Sequence, residues 1–180
     1  MCIRDRCKIG SEWLDWLVAG MRILKAWVAG VTSGFTATTG GGGGAGGEKP
    51  SFSTSYNNNG FVASITRDRY TWGHISIRLN QKINLTSYAR IILSYAVSGY
   101  LDSVFFGIGG ENSSIAIKSS SKKYTGNTSA PSEEIVLDIS NVSGEQDIYI
   151  YLDTPNAGEL NGTKITGTCT IKSIIAYITD

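Results

Sequence analysis

His74 is the only imidazole in the chain, so a serine or cysteine nucleophile activated by histidine would depend on it. It lies in a predicted strand whose apolar residues alternate with polar ones, on the polar side with Ser76 and Arg78. This pattern is typical of an exposed strand histidine. A catalytic triad is therefore not expected.

Paired carboxyl groups are the other catalytic arrangement to consider, because glycosidases use two of them roughly 5–9.5 Å apart. The acidic residues of this chain are scattered. Glu133 and Glu134 with Asp138 do not form the tight E-x-D-x-E arrangement of laminarinase-like enzymes. We expect solvated charges at strand ends, and the chain is not expected to be an enzyme.

Metal and cofactor sites leave little trace in the sequence. The three cysteines form no C-x-x-C pair that would indicate zinc. Binding modules built from β-sheets often hold calcium through Asp and Asn side chains, and Asp102 and Asp138 are weak candidates for such ligands. No cofactor is expected, and a structural calcium ion stays an open alternative.

Aromatic residues near predicted loops are the more informative feature. Sugar rings pack their C–H faces against Trp and Tyr while polar side chains bind the hydroxyl groups. Residues of these types lie next to turns, where binding residues concentrate. The candidate ligand-binding residues are Trp72, Tyr100, Tyr70, Tyr124 and Asn58. The alternative is that these tyrosines pack in the sheets, for which tyrosine is well suited.

The charge balance excludes several classes of partner. Sixteen Lys and Arg against fifteen Asp and Glu give a formal net charge of +1, without the basic surplus of a nucleic-acid-binding domain. Charges at Asp15, Arg22 and Lys25 interrupt the one apolar segment that could cross a membrane. The glycine run lacks the Lys-Ser/Thr pair of a phosphate-binding loop.

The chain divides into four predicted segments. Residues 1–10 begin with MCIRDR, which resembles translated sequencing-adapter text from metagenome assemblies, and we expect a non-native leader there. Residues 11–31 carry apolar positions at a 4-3-4-3-4 spacing and predict an amphipathic α-helix. Residues 32–49 predict a flexible Gly-rich linker. Residues 50–180 predict an antiparallel β-sandwich.

The predicted sandwich is jelly-roll-like, with about eight strands. Short β-branched and aromatic runs alternate with turn residues and never with a helical stretch. The predicted strands cover residues 61–66, 72–79, 89–97, 103–109, 114–118, 134–140, 147–152 and 168–178, with a short strand at 51–56 before them.

A family resemblance covers roughly residues 50–180. It is carried by INLTSY (83–88), IILSYAVSG (91–99), IVLDISNVSG (135–144), IYI (148–150) and IKSI (171–174). These stretches resemble β-sandwich modules in tail and virion proteins of phages and prophages of gut Firmicutes, modules that look like carbohydrate-binding jelly rolls. The resemblance implies attachment to a glycan or another cell-surface receptor, and it transfers no individual binding residue.

The function predicted at this stage is a non-enzymatic surface- or glycan-binding module of a phage virion protein that acts in host attachment. The expected partners are a cell-surface glycan or receptor and either a homo-oligomer, a trimer by the resemblance, or a parent virion protein. The expected location is the virion or the extracellular space. The alternatives are a glycan-binding module of a bacterial secreted or cell-surface polysaccharide-degrading protein and a purely structural virion domain.

Overall fold

This computed structural model describes residues 8–9, 12–13, 23–28, 34–43, 48–68, 71–154 and 164–178. Two large antiparallel sheets contain most of these residues. The five-stranded sheet has the order β11 (Lys118–Lys123), β10 (Ser103–Ile108), β14 (Ile148–Asp153), β7 (Thr71–Leu79) and β4 (Phe35–Gly43). The six-stranded sheet has the order β12 (Thr128–Asp138), β9 (Arg90–Gly99), β15 (Ile165–Tyr177), β6 (Gly60–Arg67) and β5 (Ser51–Asn57), and β3 (Ile23–Val28) also pairs with β15. Two short ladders join β1 (Lys8–Ile9) to β2 (Glu12–Trp13) and β8 (Ile83–Asn84) to β13 (Glu145–Gln146).

One apolar core lies between the two sheets. Alternate residues of each strand are buried, so that Ile75 and Ile77 of β7 face Leu93 of β9 and its neighbours across the core. The intervening residues of β7, among them His74 and Arg78, point outward. The predicted β-sandwich is confirmed, because the period-two pattern buries one face of each sheet.

The predicted N-terminal helix is wrong where the structure describes the segment. Ile23–Val28 is a strand that pairs antiparallel with the second half of β15, from Ser173 to Tyr177. β6 pairs with β15 only as far as Ile171, so the backbone groups on that edge of β15 need another partner beyond it. Pairing with β3 satisfies them, and this tertiary demand overrides the helical spacing. The other residues of the predicted helix lie largely outside the described residues, which contain no helix suited to crossing a membrane.

The flexible-linker prediction is wrong for the first half of the glycine run. Gly40 to Gly43 form the end of β4 and pair in register with His74 to Thr71 of β7. The entropy that these glycines lose is offset by ladder hydrogen bonds and by aromatic rings that cover them. The sheets therefore begin before residue 50, and residues 44–47 lie outside the described residues. The predicted leader at 1–10 is described only at Lys8–Ile9 and stays a prediction.

One predicted strand is displaced. Residues 114–118 were expected to be extended, whereas the strand β11 begins at Lys118. The side chain of Asn112 accepts a hydrogen bond from the Ser114 amide at 3.0 Å. The backbone carbonyl of Asn112 accepts one from the Ala116 amide at 2.9 Å. This local capping closes a turn in the β10–β11 loop, which a propensity pattern does not reveal.

Candidate functional site

Three rings form a row on the outward face of the five-stranded sheet. Trp72 and His74 are alternate residues of β7, and their ring centroids are 5.7 Å apart with planes 21° from parallel. Tyr151 of β14 continues the row, with its ring centroid 5.0 Å from that of His74 and a plane angle of 23°. Trp72 ends the row and is 48% exposed. We call these three residues the aromatic row.

Glycines on the neighbouring edge strand leave the space that the row occupies. Gly40 pairs with His74 and Gly42 with Trp72. A Cβ at Gly40 would lie 2.5 Å from Cε1 and Nε2 of His74, and one at Gly42 would lie 3.1 Å from Nε1 of Trp72. Both rings therefore rest against bare backbone. A side chain at Gly40 would displace the imidazole, whereas one at Gly42 would make a tight contact with the indole.

We expect Gly40→Ala to shift the His74 ring, because the added methyl group would collide with two ring atoms. His74 is the only histidine, so its Hε1 proton gives one assignable NMR signal that is sensitive to the adjacent Trp72 and Tyr151 rings. The signal should move in Gly40→Ala. It should stay in place in Thr39→Ala, whose exposed side chain is on the same strand. An unmoved signal in Gly40→Ala would contradict the proposed role of the glycine.

A polar groove of about 310 Å³ continues this face beyond Tyr151. Its residues come from three adjacent strands and from the β10–β11 loop, and they are Thr36, Thr38, Ser76, Arg78, Glu111 and Tyr149. The hydroxyl of Ser76 donates a hydrogen bond to a carboxylate oxygen of Glu111 at 2.6 Å. This bond fixes the loop carboxylate over the sheet. Arg78 is exposed on the same face.

Burial and nearby charges raise the pKa of two groups of β14, Tyr151 and Asp153. Burial, followed by the charges of Asp153 and Glu111, raises the pKa of the Tyr151 phenol, which therefore stays a neutral hydrogen-bond donor near pH 7. Asp153 pairs across the sheet with His74. Burial and the nearby charge of Asp102 raise the pKa of the Asp153 carboxyl, while the Thr154 amide, His74 and Arg67 act in the opposite direction.

The groove offers both kinds of hydrogen-bonding group. The Glu111 carboxylate is an acceptor, the Arg78 guanidinium is a multiple donor, and the hydroxyls of Ser76, Thr36 and Thr38 can do either. Next to a row of aromatic rings, this set can hold a molecule that has apolar faces and many hydroxyl groups.

Scans of protein-family models and of curated proteins give no match for this chain. Among solved structures, TmCBM27, a carbohydrate-binding module studied for specific mannan recognition, superimposes with a TM-score of 0.48 and 9% identity, over 90% of this chain and all of that one. A module from work on the promiscuous specificity of β-sandwich carbohydrate-binding modules gives 0.47 and 15%, over 80% of this chain and 58% of that one. The enzymatically active domain of tailspike protein 4 of bacteriophage CBA120 gives 0.44 and 9%, over 79% of this chain and 19% of that one. Similarity at this level does not indicate a function for this chain. The residues of the outward face are the basis for one.

The structure places the sequence-predicted binding residues in different surroundings. Trp72 is exposed in the aromatic row, whereas Asn58 is exposed in the β5–β6 turn of the other sheet. Tyr100 is half-buried after β9, and its amide donates a hydrogen bond to the Thr166 carbonyl at 3.0 Å. Tyr124 was expected near the surface, but it is buried in the core and its hydroxyl is 2.8 Å from that of Tyr95. Tyr70 lies outside the described residues.

The two weak calcium candidates lie in different surroundings. Asp138 is exposed, and hydrogen bonds from the Ser140 amide and hydroxyl lower the pKa of its carboxyl. Asp102 is half-buried just before β10. The described residues include no group of three or more His, Cys, Asp or Glu side chains placed to hold a metal ion.

Several residues of the outward face were not among the predicted ligand-binding residues. The period-two pattern of β14 already places Tyr149 and Tyr151 on the wetter face of the strand, but the sequence did not mark either of them as a binding candidate. His74 was assigned correctly to the polar side of β7 but not to an aromatic row. The register that brings Tyr151, Glu111 and the β4 glycines beside β7 leaves no local signal in the sequence.

Proposed function

We propose that this chain is a non-enzymatic glycan-binding module, and that the glycan lies along the outward face of the five-stranded sheet. The observation that carries the proposal is the continuity of an aromatic row with a polar groove on one exposed sheet face. Each part alone is common on protein surfaces. Together they match the two-sided character of a sugar, which has apolar C–H faces and a polar rim.

The exposed ring of Trp72 supplies the stacking surface. It ends the row, so one face of its indole is not covered by His74. A sugar that packs there removes apolar area from water without burying its hydroxyl groups. Stacking of Trp72 on His74 holds the indole in one orientation and reduces the entropy lost on binding.

The groove orients the bound sugar. Arg78 and Glu111 present a donor and an acceptor within one cavity, so neighbouring hydroxyls of one sugar can bind both. Trp72 and Arg78 are six residues apart on one strand, which separates them by roughly 20 Å. This length suits several consecutive sugar units. We therefore propose a linear oligosaccharide rather than a monosaccharide as the ligand.

The biological setting that we propose is host attachment by a phage virion protein, extracellular and acting on a cell-surface glycan. It is supported by the sequence resemblance of residues 50–180 to modules of virion proteins. Linked copies would convert weak single-site binding into firm attachment. A glycan-binding module of a bacterial polysaccharide-degrading protein would use the same face, and a structural virion domain would use none of it.

The test is a panel of soluble polysaccharides and intact bacterial cells, with the whole chain as the probe. Affinity electrophoresis detects retention by a polysaccharide, and the Hε1 signal of His74 reports binding at the aromatic row. We expect saturable retention by at least one glycan, a shift of the His74 signal, and competition by its oligosaccharides. Binding to cells but not to plant polysaccharides would favour the attachment setting. Absence of retention and of any His74 shift across the panel would refute the function.

A further inference from the structure

Among the described strands β4 lies last in its sheet, and its outer edge is chemically unlike the edges on the other side of the sandwich. β11 carries Lys118, Lys122 and Lys123, and β12 carries Glu133, Glu134, Pro131 and an irregular register. Such residues keep sheet edges from pairing with other strands. β4 has the sequence FTATTGGGG, with no charged residue and no proline over nine residues. The other uncharged edge, β5, is shorter and carries Phe52 and Tyr56.

The amides and carbonyls of alternate residues of β4 point toward this edge. The Gly34 carbonyl accepts a hydrogen bond from the Asn80 amide, so Gly34 faces β7. The next amide, that of Phe35, instead donates to the Tyr56 hydroxyl at 3.1 Å. By the alternation of an antiparallel ladder, the amides and carbonyls of Ala37, Thr39 and Gly41 also point away from β7. Within the described residues, no strand pairs with them.

We propose that β4 pairs antiparallel with β4 of a second copy of this chain, across a two-fold axis at Thr39. The edge is self-complementary in this arrangement, because Thr39 faces Thr39 of the partner subunit and Ala37 faces Gly41 of the partner subunit. Small side chains allow the close approach, and a Thr–Thr pair across strands is favourable. A net charge of +1 per chain gives little long-range repulsion between two copies.

The pairing would join two five-stranded sheets into one ten-stranded sheet. A two-fold axis perpendicular to the sheet keeps both outward faces on the same side. The two aromatic rows would then lie on one surface and engage one multivalent glycan, a consequence that rests on the proposed function. The pairing itself does not depend on glycan binding, so the two proposals can fail separately. A two-fold pair also differs from the trimer expected from the sequence resemblance.

Thr39→Pro tests the pairing by removing one backbone N–H group. Proline removes an amide that points away from β7, so it should leave the β4–β7 ladder intact while removing two symmetry-related hydrogen bonds between copies. We expect sedimentation velocity to show a dimer for the full chain, with a dissociation constant raised about 30-fold in Thr39→Pro. Thr39→Val keeps the amide and should stay dimeric. An unchanged His74 NMR signal shows that both variants are folded.

A second variant tests the register. Paired Cα atoms across an antiparallel hydrogen-bonded pair are about 5.5 Å apart, which suits a disulfide. Mild oxidation of Thr39→Cys should give a covalent dimer well above the background of the wild-type chain. Ser120→Cys, exposed on the opposite edge strand β11, should not. A wild-type chain that stays monomeric at high concentration overturns the proposal, and so does a dimer or trimer that Thr39→Pro leaves unchanged.

Discussion

Replacing Trp72 with alanine is expected to weaken oligosaccharide binding roughly 30-fold, equivalent to about 2 kcal/mol, because tryptophan is among the residues that most often dominate the energy of a binding surface. The indole is the most exposed ring of the aromatic row and the one whose outer face can stack on a sugar. Isothermal titration with the oligosaccharide found in the polysaccharide panel measures the change. Stability should change little, since the side chain is half in solvent.

Two variants make this result specific. Val136→Ala removes another exposed apolar side chain, on β12 of the other sheet, and should leave affinity unchanged. Tyr100→Ala separates the two leading candidates from the sequence, because Tyr100 is half-buried after β9 and lies outside the aromatic row. A loss of affinity in Tyr100→Ala, with wild-type affinity in Trp72→Ala, would move the site away from the outward face.

Raising the pH is expected to destabilise the fold steeply, because three buried acidic protons must be kept. Burial raises the pKa of the Cys169 thiol to about 12 and that of the Tyr124 phenol to about 12, and it raises the pKa of Tyr95 further still. The corresponding ordinary values are 9.0 for the thiol and 10.0 for the phenols. Between the ordinary and the raised values, the folded chain holds protons that the unfolded chain has lost.

The sign of the effect follows from this proton balance. Stability from these groups is complete below about pH 9 and falls as pH rises toward 12, since the unfolded state binds fewer protons there. Each group contributes a loss of about 1.4 kcal/mol per pH unit above its ordinary pKa. Urea unfolding across this range measures the free energy of unfolding directly.

Variants assign the alkaline loss to its groups. Replacing Tyr95 and Tyr124 together with phenylalanine removes both hydroxyls of the buried pair, and leaves neither without a partner. The double variant should lose the steep decline above pH 10 and keep the shallower one that begins near pH 9. A pH profile identical to that of the wild type would show that the phenols are not the cause.

The period-two pattern determined a large part of this protein from sequence alone. The alternation of Ile75 and Ile77 with His74 and Arg78 defines a strand with one buried face, because burial of that face fixes which residues point inward. The run of such strands without intervening helical segments was sufficient to predict an antiparallel sandwich. The position of Trp72 beside a predicted turn was sufficient to make it a binding candidate.

Local patterns failed where a distant strand decided the outcome. Residues 23–28 carry both a helical spacing and strand-forming residues, and only the edge of β15 that β6 leaves open beyond Ile171 selects the strand. Gly40 to Gly43 have no side chain that favours any structure, and β7 gives them a ladder and the rings that cover them. Tyr124 looks like a loop residue until Tyr95 supplies a buried hydroxyl partner.

The candidate site likewise depends partly on the sequence of single strands and partly on the tertiary structure. The sequence by itself determined which strand residues could face outward, since that depends on spacing within one strand. Only the tertiary structure decided that Tyr151 of β14 would stack on His74 of β7 and that Glu111 would reach Ser76, because strand order and register are set by contacts between residues far apart in the chain. A binding face shared by three strands is a property of that register, and no single segment encodes it.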